Sequence, residues 1–154
     1  MQPGDIAPSF ELPDDKGNPQ SLDALLAEGP VVLYFYPAAM TPGCTKEGCH
    51  FRDLGEEFAK LGAQRVGISL DKVDKQREFS EKYTFDFPLL ADTEGTVAKA
   101  FGVKRAFGPL KVKRATFVID TDKKILEVIN SEFSMDKYAD RALEVLRQRA
   151  APSS

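Results

Sequence analysis

A run of six large apolar residues, Val31 to Tyr36, constrains the fold of this chain more than any other sequence feature. A strand without polar alternation is typical of a parallel sheet that is buried on both faces. Pro37 ends the run, because its ring nitrogen cannot donate the next hydrogen bond of a strand ladder. Helices have to cover both faces of such a sheet, so the run predicts a layered α/β domain.

Further strands and helices alternate along the rest of the chain. Short apolar or alternating runs predict strands at residues 9–12, 65–70, 87–90, 115–119 and 124–129. Apolar residues three or four positions apart, together with cap residues, predict helices at 22–26, 42–61, 72–83, 96–101 and 135–149, with Ser21 and Asp71 as two of the N-caps. Alternating units followed by a hairpin and a last helix imply a central mixed β-sheet flanked by helices. We expect a single domain over residues 1–150 and a flexible tail over 151–154.

Length, charge and the N-terminus bear on the class of function. A chain of 154 residues buries roughly 70% of its unfolded surface, so it needs no stapling disulfides. A net charge of −3 argues against binding to nucleic acid or to anionic lipid. The longest apolar stretch is well short of the ~20 residues of a membrane span, and no basic segment followed by an apolar run begins the chain. We therefore expect a cytoplasmic protein, with neither nucleic acid nor a membrane as a partner.

The segment from Pro37 to Cys49 joins the buried strand to a helix and contains both cysteines of the chain. Thr41 followed by Pro42 predicts an N-cap and then a proline at the first helical position. Cys44 would then lie in the first turn, beside backbone N–H groups without a helical partner and beside the positive end of the helix dipole. Such surroundings favour a thiolate.

The expected reactivity of Cys44 depends on its ionisation. Only the thiolate is a good nucleophile, and a free cysteine with a pKa of about 8.5 is only a few per cent ionised at pH 7. A mostly ionised sulfur requires a pKa lowered by about two units, or ~2.7 kcal/mol. A helix N-terminus supplies ~0.3–1 kcal/mol, so a nearby cation is needed as well. Lys46 does not face Cys44 on the same helix, and the best-placed candidate is Arg114, directly before the strand at 115–119.

Cys49 lies five residues after Cys44, and this spacing decides how the two sulfurs can bond. On an unbroken helix the two Cα atoms are ~8.6 Å apart, with side chains roughly 140° out of phase. A disulfide requires Cα atoms within about 6.8 Å. The pair can therefore bond only if the helix unwinds locally, which Gly43 and Gly48 would make easier. Our hypothesis is that this turn is helical in the reduced protein and not in the oxidised one.

Other interpretations of these residues do not involve redox chemistry. An arbitrary cysteine pair is more often buried apolar packing, although the cap, proline and glycine context here favours a reactive sulfur. A zinc site needs four ligands and a cysteine hydrolase needs a distant histidine, whereas the only histidine is His50, on the same helix. We expect His50 to be a bystander on the exposed face. Glu47 is either a partner of the active-site arginine or a solvated first-turn glutamate.

The spacing of Pro37, Thr41 and Cys44 resembles the signature of the peroxiredoxins, which is a proline, three residues, a threonine, two residues and a cysteine. The run Thr41-Pro42-Gly43-Cys44-Thr45 with a second cysteine at Cys49 is similar to the bacterioferritin comigratory protein or peroxiredoxin Q subfamily. Similar residues extend along nearly the whole chain, at 4–8, 67–69, 101–103 and 114–120.

The resemblance implies a thioredoxin-like fold and reduction of hydroperoxides without metal, haem or flavin. It makes Cys44 the peroxidatic residue and Cys49 the resolving one. Arg114 and the Thr41 hydroxyl would orient and polarise the peroxide, and Pro37 would shield the sulfenate from water. A capping hydroxyl and a substrate-binding hydroxyl compete for one oxygen, so the two roles of Thr41 conflict. Thioredoxin or a similar dithiol would reduce the intramolecular disulfide, which lets a monomer work, with a weak dimer left open.

Two rival functions use the same fold or the same disulfide. A thiol–disulfide oxidoreductase that acts on proteins would carry Cys-x-x-Cys, whereas this chain has four residues between its cysteines. A redox-sensing or binding module would keep the disulfide but would need no fast reaction with peroxide. Rapid oxidation of Cys44 by hydrogen peroxide is expected only of the peroxidase.

Overall fold

The fold is built around one five-stranded sheet, in a computed structural model that describes residues 1–105, 111–130 and 135–150. In chain order the elements are β1 (Glu11–Pro13), β2 (Pro19–Ser21), α1 (Leu22–Leu26), β3 (Val31–Phe35), α2 (Pro42–Asp53), α3 (Gly55–Lys60), β4 (Gln64–Ser69), α4 (Val73–Tyr83), β5 (Leu89–Ala91), α5 (Thr96–Ala100), β6 (Ala115–Ile119), β7 (Ile125–Ile129) and α6 (Met135–Ala150). β1 and β2 form a separate antiparallel hairpin. The tail predicted at 151–154 lies outside the described residues. Across the described ranges, no helix is long and apolar enough to cross a membrane.

The strand order in the large sheet is β5-β4-β3-β6-β7, which puts the apolar run of β3 at the centre. β3, β4 and β5 are parallel, β6 is antiparallel to β3, and β7 is antiparallel to β6. Leu33 pairs with Val66 on one side and with Phe117 on the other. The predicted mixed sheet and its α/β class are confirmed.

Apolar clusters on both faces of the sheet explain why β3 carries no charged residue. Val32 and Tyr34 belong to one cluster, which also contains side chains of α2, α3, α4 and α6. Leu33 and Phe35 point the other way and pack in a second cluster with α1 and α5. Because both faces are covered, every residue of β3 is buried.

One predicted helix is two helices in the structure. Residues 42–61 were expected to form a single helix, but α2 ends at Asp53 and α3 starts at Gly55. Leu54, between them, has ψ of 14° and leaves the helical region. Arg65 Nη1 donates to the Phe51 carbonyl at 3.0 Å, so that carbonyl has a partner from β4 where the helix ends. Phe51 and Phe58 still face the same core, which is why their spacing resembled one helix.

The two predicted helix caps have different outcomes. The Ser21 hydroxyl accepts the Ala24 N–H at 3.1 Å, which confirms the cap of α1. Asp71 is not the cap of α4, because Lys72 occupies that position and makes no side-chain cap hydrogen bond. The Asp71 carboxylate instead accepts the Ala39 N–H at 2.8 Å. It contacts the loop after β3, which sequence periodicity within α4 does not reveal.

Candidate active site

The loop of residues 37–41 leaves the sheet at the carboxyl end of β3 and leads into α2. Pro37 is the half-buried first residue of this loop. Met40 has φ of 70°, a left-handed conformation that costs a non-glycine residue on the order of 1–3 kcal/mol. The chain turns here, and α2 begins with Pro42 at its first position, as predicted.

Cys44 is the third residue of α2 and lies in its first turn. The Thr45 N–H donates to the Thr41 carbonyl at 2.9 Å, so the N–H groups of Gly43 and Cys44 precede the helical ladder. Cys44 is only 1% exposed. Arg114 Nη2 donates to Cys44 Sγ at 3.2 Å, so a cation that lies 70 residues further along the chain contacts the sulfur.

A buried ion pair holds Arg114 in this position. Arg114 Nη1 donates to Glu47 Oε1 at 2.5 Å, and Glu47 has no exposed surface. Of the two alternatives predicted for Glu47, the structure therefore confirms the partner of Arg114 and not the solvated glutamate. Burial raises the pKa of Glu47 to about 7, although Arg114 acts in the opposite direction. Burial also lowers the pKa of Arg114, but Glu47 and Cys44 outweigh it, so the net shift is upward and the guanidinium stays charged.

Thr41 occupies the N-cap position of α2, but its side chain makes no cap hydrogen bond. Its hydroxyl donates to the Ala38 carbonyl at 2.7 Å. The predicted capping role of the side chain is therefore wrong, and the conflict between capping and substrate binding disappears. A hydroxyl that donates to a carbonyl keeps lone pairs with which it can accept a hydrogen bond from a substrate.

Cys49 is partly buried on α2, and both cysteines are free thiols. The helix is continuous from Pro42 to Asp53, so it keeps the two residues at helical separation. The next residue, His50, was expected to be an exposed bystander, but its Nε2 lies 2.9 Å from Asp140 Oδ1 on α6. Within the described ranges, no three His, Cys, Asp or Glu side chains are grouped as a metal site requires.

Sequence reasoning missed two neighbours of the site. The sequence predicts Asp71 as a helix cap, and the one signal for a place near the site is its position after a parallel strand, at the sheet edge where β3 also ends. Tyr138 on α6 is buried, and burial together with Glu47 raises its pKa to about 12. Its proximity results from the packing of α6 against α2, which no spacing within either helix indicates.

A model of the AhpC/TSA family matches residues 3–128, a range that contains Cys44, Cys49 and Arg114. The chain belongs to the AhpC/TSA family. Its structure is similar to the crystal structure of peroxidoxin BcpB from Mycobacterium tuberculosis, with a TM-score of 0.95 and 61% identity over 98% of this chain and 99% of that one. It is also similar to the bacterioferritin comigratory protein of Xanthomonas campestris, a structure described for alkyl peroxide reduction activity, with a TM-score of 0.85 and 33% identity over 92% of each chain.

A plant relative supports the same assignment. The chloroplastic peroxiredoxin Q of Sedum lineare is 43% identical over 145 residues, which cover 94% of this chain and 77% of the plant protein. The predicted membership in the peroxiredoxins and the thioredoxin-like fold are thus confirmed. Members of this family reduce peroxides with thiol reductants, so this AhpC/TSA protein is a thiol-dependent peroxidase.

Proposed function

We propose that this peroxiredoxin reduces hydrogen peroxide and organic hydroperoxides at the sulfur of Cys44. The Cys44 thiolate attacks one peroxide oxygen, and an S–O bond forms as the O–O bond breaks. Sulfur loses two electrons and becomes a sulfenic acid. The departing oxygen takes a proton and leaves as water from hydrogen peroxide, or as an alcohol from an organic hydroperoxide.

The observation that carries this proposal is the 3.2 Å contact between Arg114 Nη2 and Cys44 Sγ. The donor is charged, and a charge-assisted hydrogen bond is stronger than one between neutral groups. The other guanidinium nitrogen is held by Glu47, so the donor is fixed in place before a substrate arrives. The start of α2 adds the positive end of a helix dipole on the same sulfur.

Thr41, Arg114 and Pro37 complete the proposed peroxide site. The Thr41 hydroxyl accepts a hydrogen bond from the peroxide while it donates to Ala38. Arg114 donates to the oxygen on which negative charge develops as the O–O bond breaks. Pro37 shields the sulfenate from water at the start of the same loop. The resemblance to peroxiredoxins supports these roles, as do the contact of Arg114 with Cys44 and the position of Thr41 directly before α2.

Cys49 is the proposed resolving residue. Its sulfur attacks the sulfenic sulfur of Cys44, an S–S bond forms, and the hydroxyl group leaves as water. Because α2 is helical across both residues when they are reduced, this step requires the helix to unwind over residues 43–50. Both sulfurs belong to one chain, so a monomer can complete the cycle. An external dithiol, proposed to be thioredoxin, then reduces the disulfide and becomes a disulfide itself.

Three proteins test this cycle: the wild type, Cys44→Ser and Cys49→Ser, assayed for peroxide turnover with thioredoxin. Each variant keeps one cysteine and serves as the control for the other. Cys44→Ser should have no activity. Cys49→Ser should be oxidised once and then stall or form higher oxides, unless a small thiol is added. Full turnover without Cys49 would remove its resolving role.

Stopped-flow mixing of the reduced wild type with hydrogen peroxide tests the first step alone. Rapid oxidation of Cys44 is expected. Slow oxidation by peroxide, combined with fast exchange with protein disulfides, would instead favour a thiol–disulfide oxidoreductase.

A further inference from the structure

A buried hydrogen-bond network connects α4 to the active-site loop, and the mechanism above does not use it. It starts at Gln76, which has no exposed surface. Gln76 Nε2 donates to Ser69 Oγ at 2.9 Å and to the Leu90 carbonyl at 2.8 Å. Gln76 Oε1 accepts the Tyr36 hydroxyl at 2.5 Å. The Leu90 carbonyl can only accept, so these partners fix the orientation of the Gln76 amide.

Ser69, at the end of β4, connects Gln76 to Asp71. Its hydroxyl donates to Asp71 Oδ2 at 2.6 Å and accepts the Asp71 N–H at 3.2 Å. The same carboxylate oxygen accepts the Ala39 N–H at 2.8 Å. Asp71 is therefore fixed relative to the sheet on one side and bonded to the active-site loop on the other.

Asp71 holds the loop next to its strained residue. Ala39 directly precedes Met40, whose φ is 70°. A residue in that conformation persists only where its surroundings hold it there. The Ala39 N–H is bonded to Asp71 before Met40, and the Thr41 hydroxyl is bonded to Ala38 after it. These two hydrogen bonds lie on either side of the strained position.

We propose that Asp71 is a positioning residue for the peroxide reaction, which holds the 37–41 loop in the shape that presents Thr41 and Cys44 to the substrate. This inference rests on the function proposed above for Cys44. Without Asp71 Oδ2, the Ala39 N–H loses its partner and Met40 is released from its left-handed conformation. The Thr41 hydroxyl then moves relative to the sulfur, and a displacement of about 1 Å can cost ~100-fold in rate.

The test compares Asp71→Ala with Asp71→Asn in stopped-flow oxidation by hydrogen peroxide, starting from reduced protein without recycling reductant. Asparagine keeps an oxygen that can accept from Ala39 and Ser69, whereas alanine does not. The second-order rate constant should fall at least about tenfold in Asp71→Ala and stay within about threefold of the wild type in Asp71→Asn. The exposed Asp74 on α4 offers a matched control, and Asp74→Ala should react at the wild-type rate.

All rates are measured at a temperature at which circular dichroism shows every variant to be folded. Ser69→Ala keeps Asp71 but removes the hydroxyl that is hydrogen-bonded to it. This variant replaces Asp71→Ala if Asp71→Ala does not fold, and its rate constant should fall roughly three- to tenfold. Wild-type rates in Asp71→Ala, or in Ser69→Ala as its replacement, would overturn the proposal. So would an Asp71→Asn variant as slow as Asp71→Ala, because the lost charge would then be the cause. A wild type that peroxide oxidises slowly would instead refute the function proposed for Cys44.

Discussion

Replacing Glu47 with glutamine should change how the stability of the protein depends on pH. Glu47 is fully buried against Arg114, and burial raises its pKa from 4.5 to about 7. Between these two values the native state binds one more proton than the unfolded state. Stability therefore falls as the pH rises through this window, and it levels off above pH 7. A shift of one pKa unit corresponds to about 1.36 kcal/mol, so the whole shift of the Glu47 pKa corresponds to about 3 kcal/mol of unfolding free energy.

Glutamine resembles the protonated carboxyl in shape and does not titrate, so the substitution removes the fall in stability between pH 4.5 and about 7. The assay is urea unfolding from pH 5 to pH 9, with Cys44→Ser in both proteins, which removes the reactive sulfur from the comparison. Over this pH range, the free energy of unfolding of Cys44→Ser should fall by about 2–3 kcal/mol more than that of the double variant Cys44→Ser, Glu47→Gln. Glu81→Gln, on the exposed face of α4, controls for the loss of a carboxylate. Parallel profiles for the proteins with and without Glu47 would refute the reasoning, because Glu47 would then be charged in its buried site at no cost.

Two further predictions concern the cation and the helix. Arg114→Lys keeps the charge, but a single ammonium group cannot replace the two guanidinium nitrogens that bond Glu47 and Cys44, so the rate of oxidation by hydrogen peroxide should fall at least about tenfold. Lys113→Ala, at the neighbouring exposed position, should leave that rate unchanged. Equal rates for Arg114→Lys and the wild type would contradict a role for the two guanidinium nitrogens. Amide exchange over residues 43–50, followed by mass spectrometry, should be slow in the reduced protein and fast in the disulfide form; equal protection in both states would exclude local unwinding.

Local signals in the sequence were enough to predict the centre of the fold and the start of the active-site helix. β3 could be predicted because burial on both faces leaves no place for a charged side chain, and the structure has it in the middle of the sheet. The start of α2 could be predicted because Pro42 is tolerated in the first turn of a helix but not in its interior. Cys44 then had to lie in the first turn, whatever the rest of the chain did.

The features that could not be predicted depend on contacts between distant segments. The break between α2 and α3 coincides with a hydrogen bond from Arg65 of β4 to the carbonyl of Phe51. Asp71 looks like a helix cap in sequence, but its carboxylate accepts from the Ser69 hydroxyl and from the Ala39 N–H of the 37–41 loop. Glu47 was ambiguous for the same reason, because its partner Arg114 lies 67 residues further along the chain. Periodicity reports which face of an element is apolar, but not which polar group meets it there.

The side chains of α2 are packed in different ways along the helix. Phe51 stacks on Tyr34 with ring centroids 4.4 Å apart, which holds the second half of the helix on the core. A Cβ at Gly48 would lie 2.6 Å from the Phe85 ring, so the structure gives this glycine a packing reason in addition to the expected ease of unwinding. Glu47 differs from both, because its charge is unfavourable where it is buried. Unwinding would return that carboxylate to water, which offsets part of the free energy lost with the helical hydrogen bonds. In the proposed cycle, the buried pair that holds Arg114 at the reduced sulfur would therefore also lower the free energy needed to open the helix once Cys44 is oxidised.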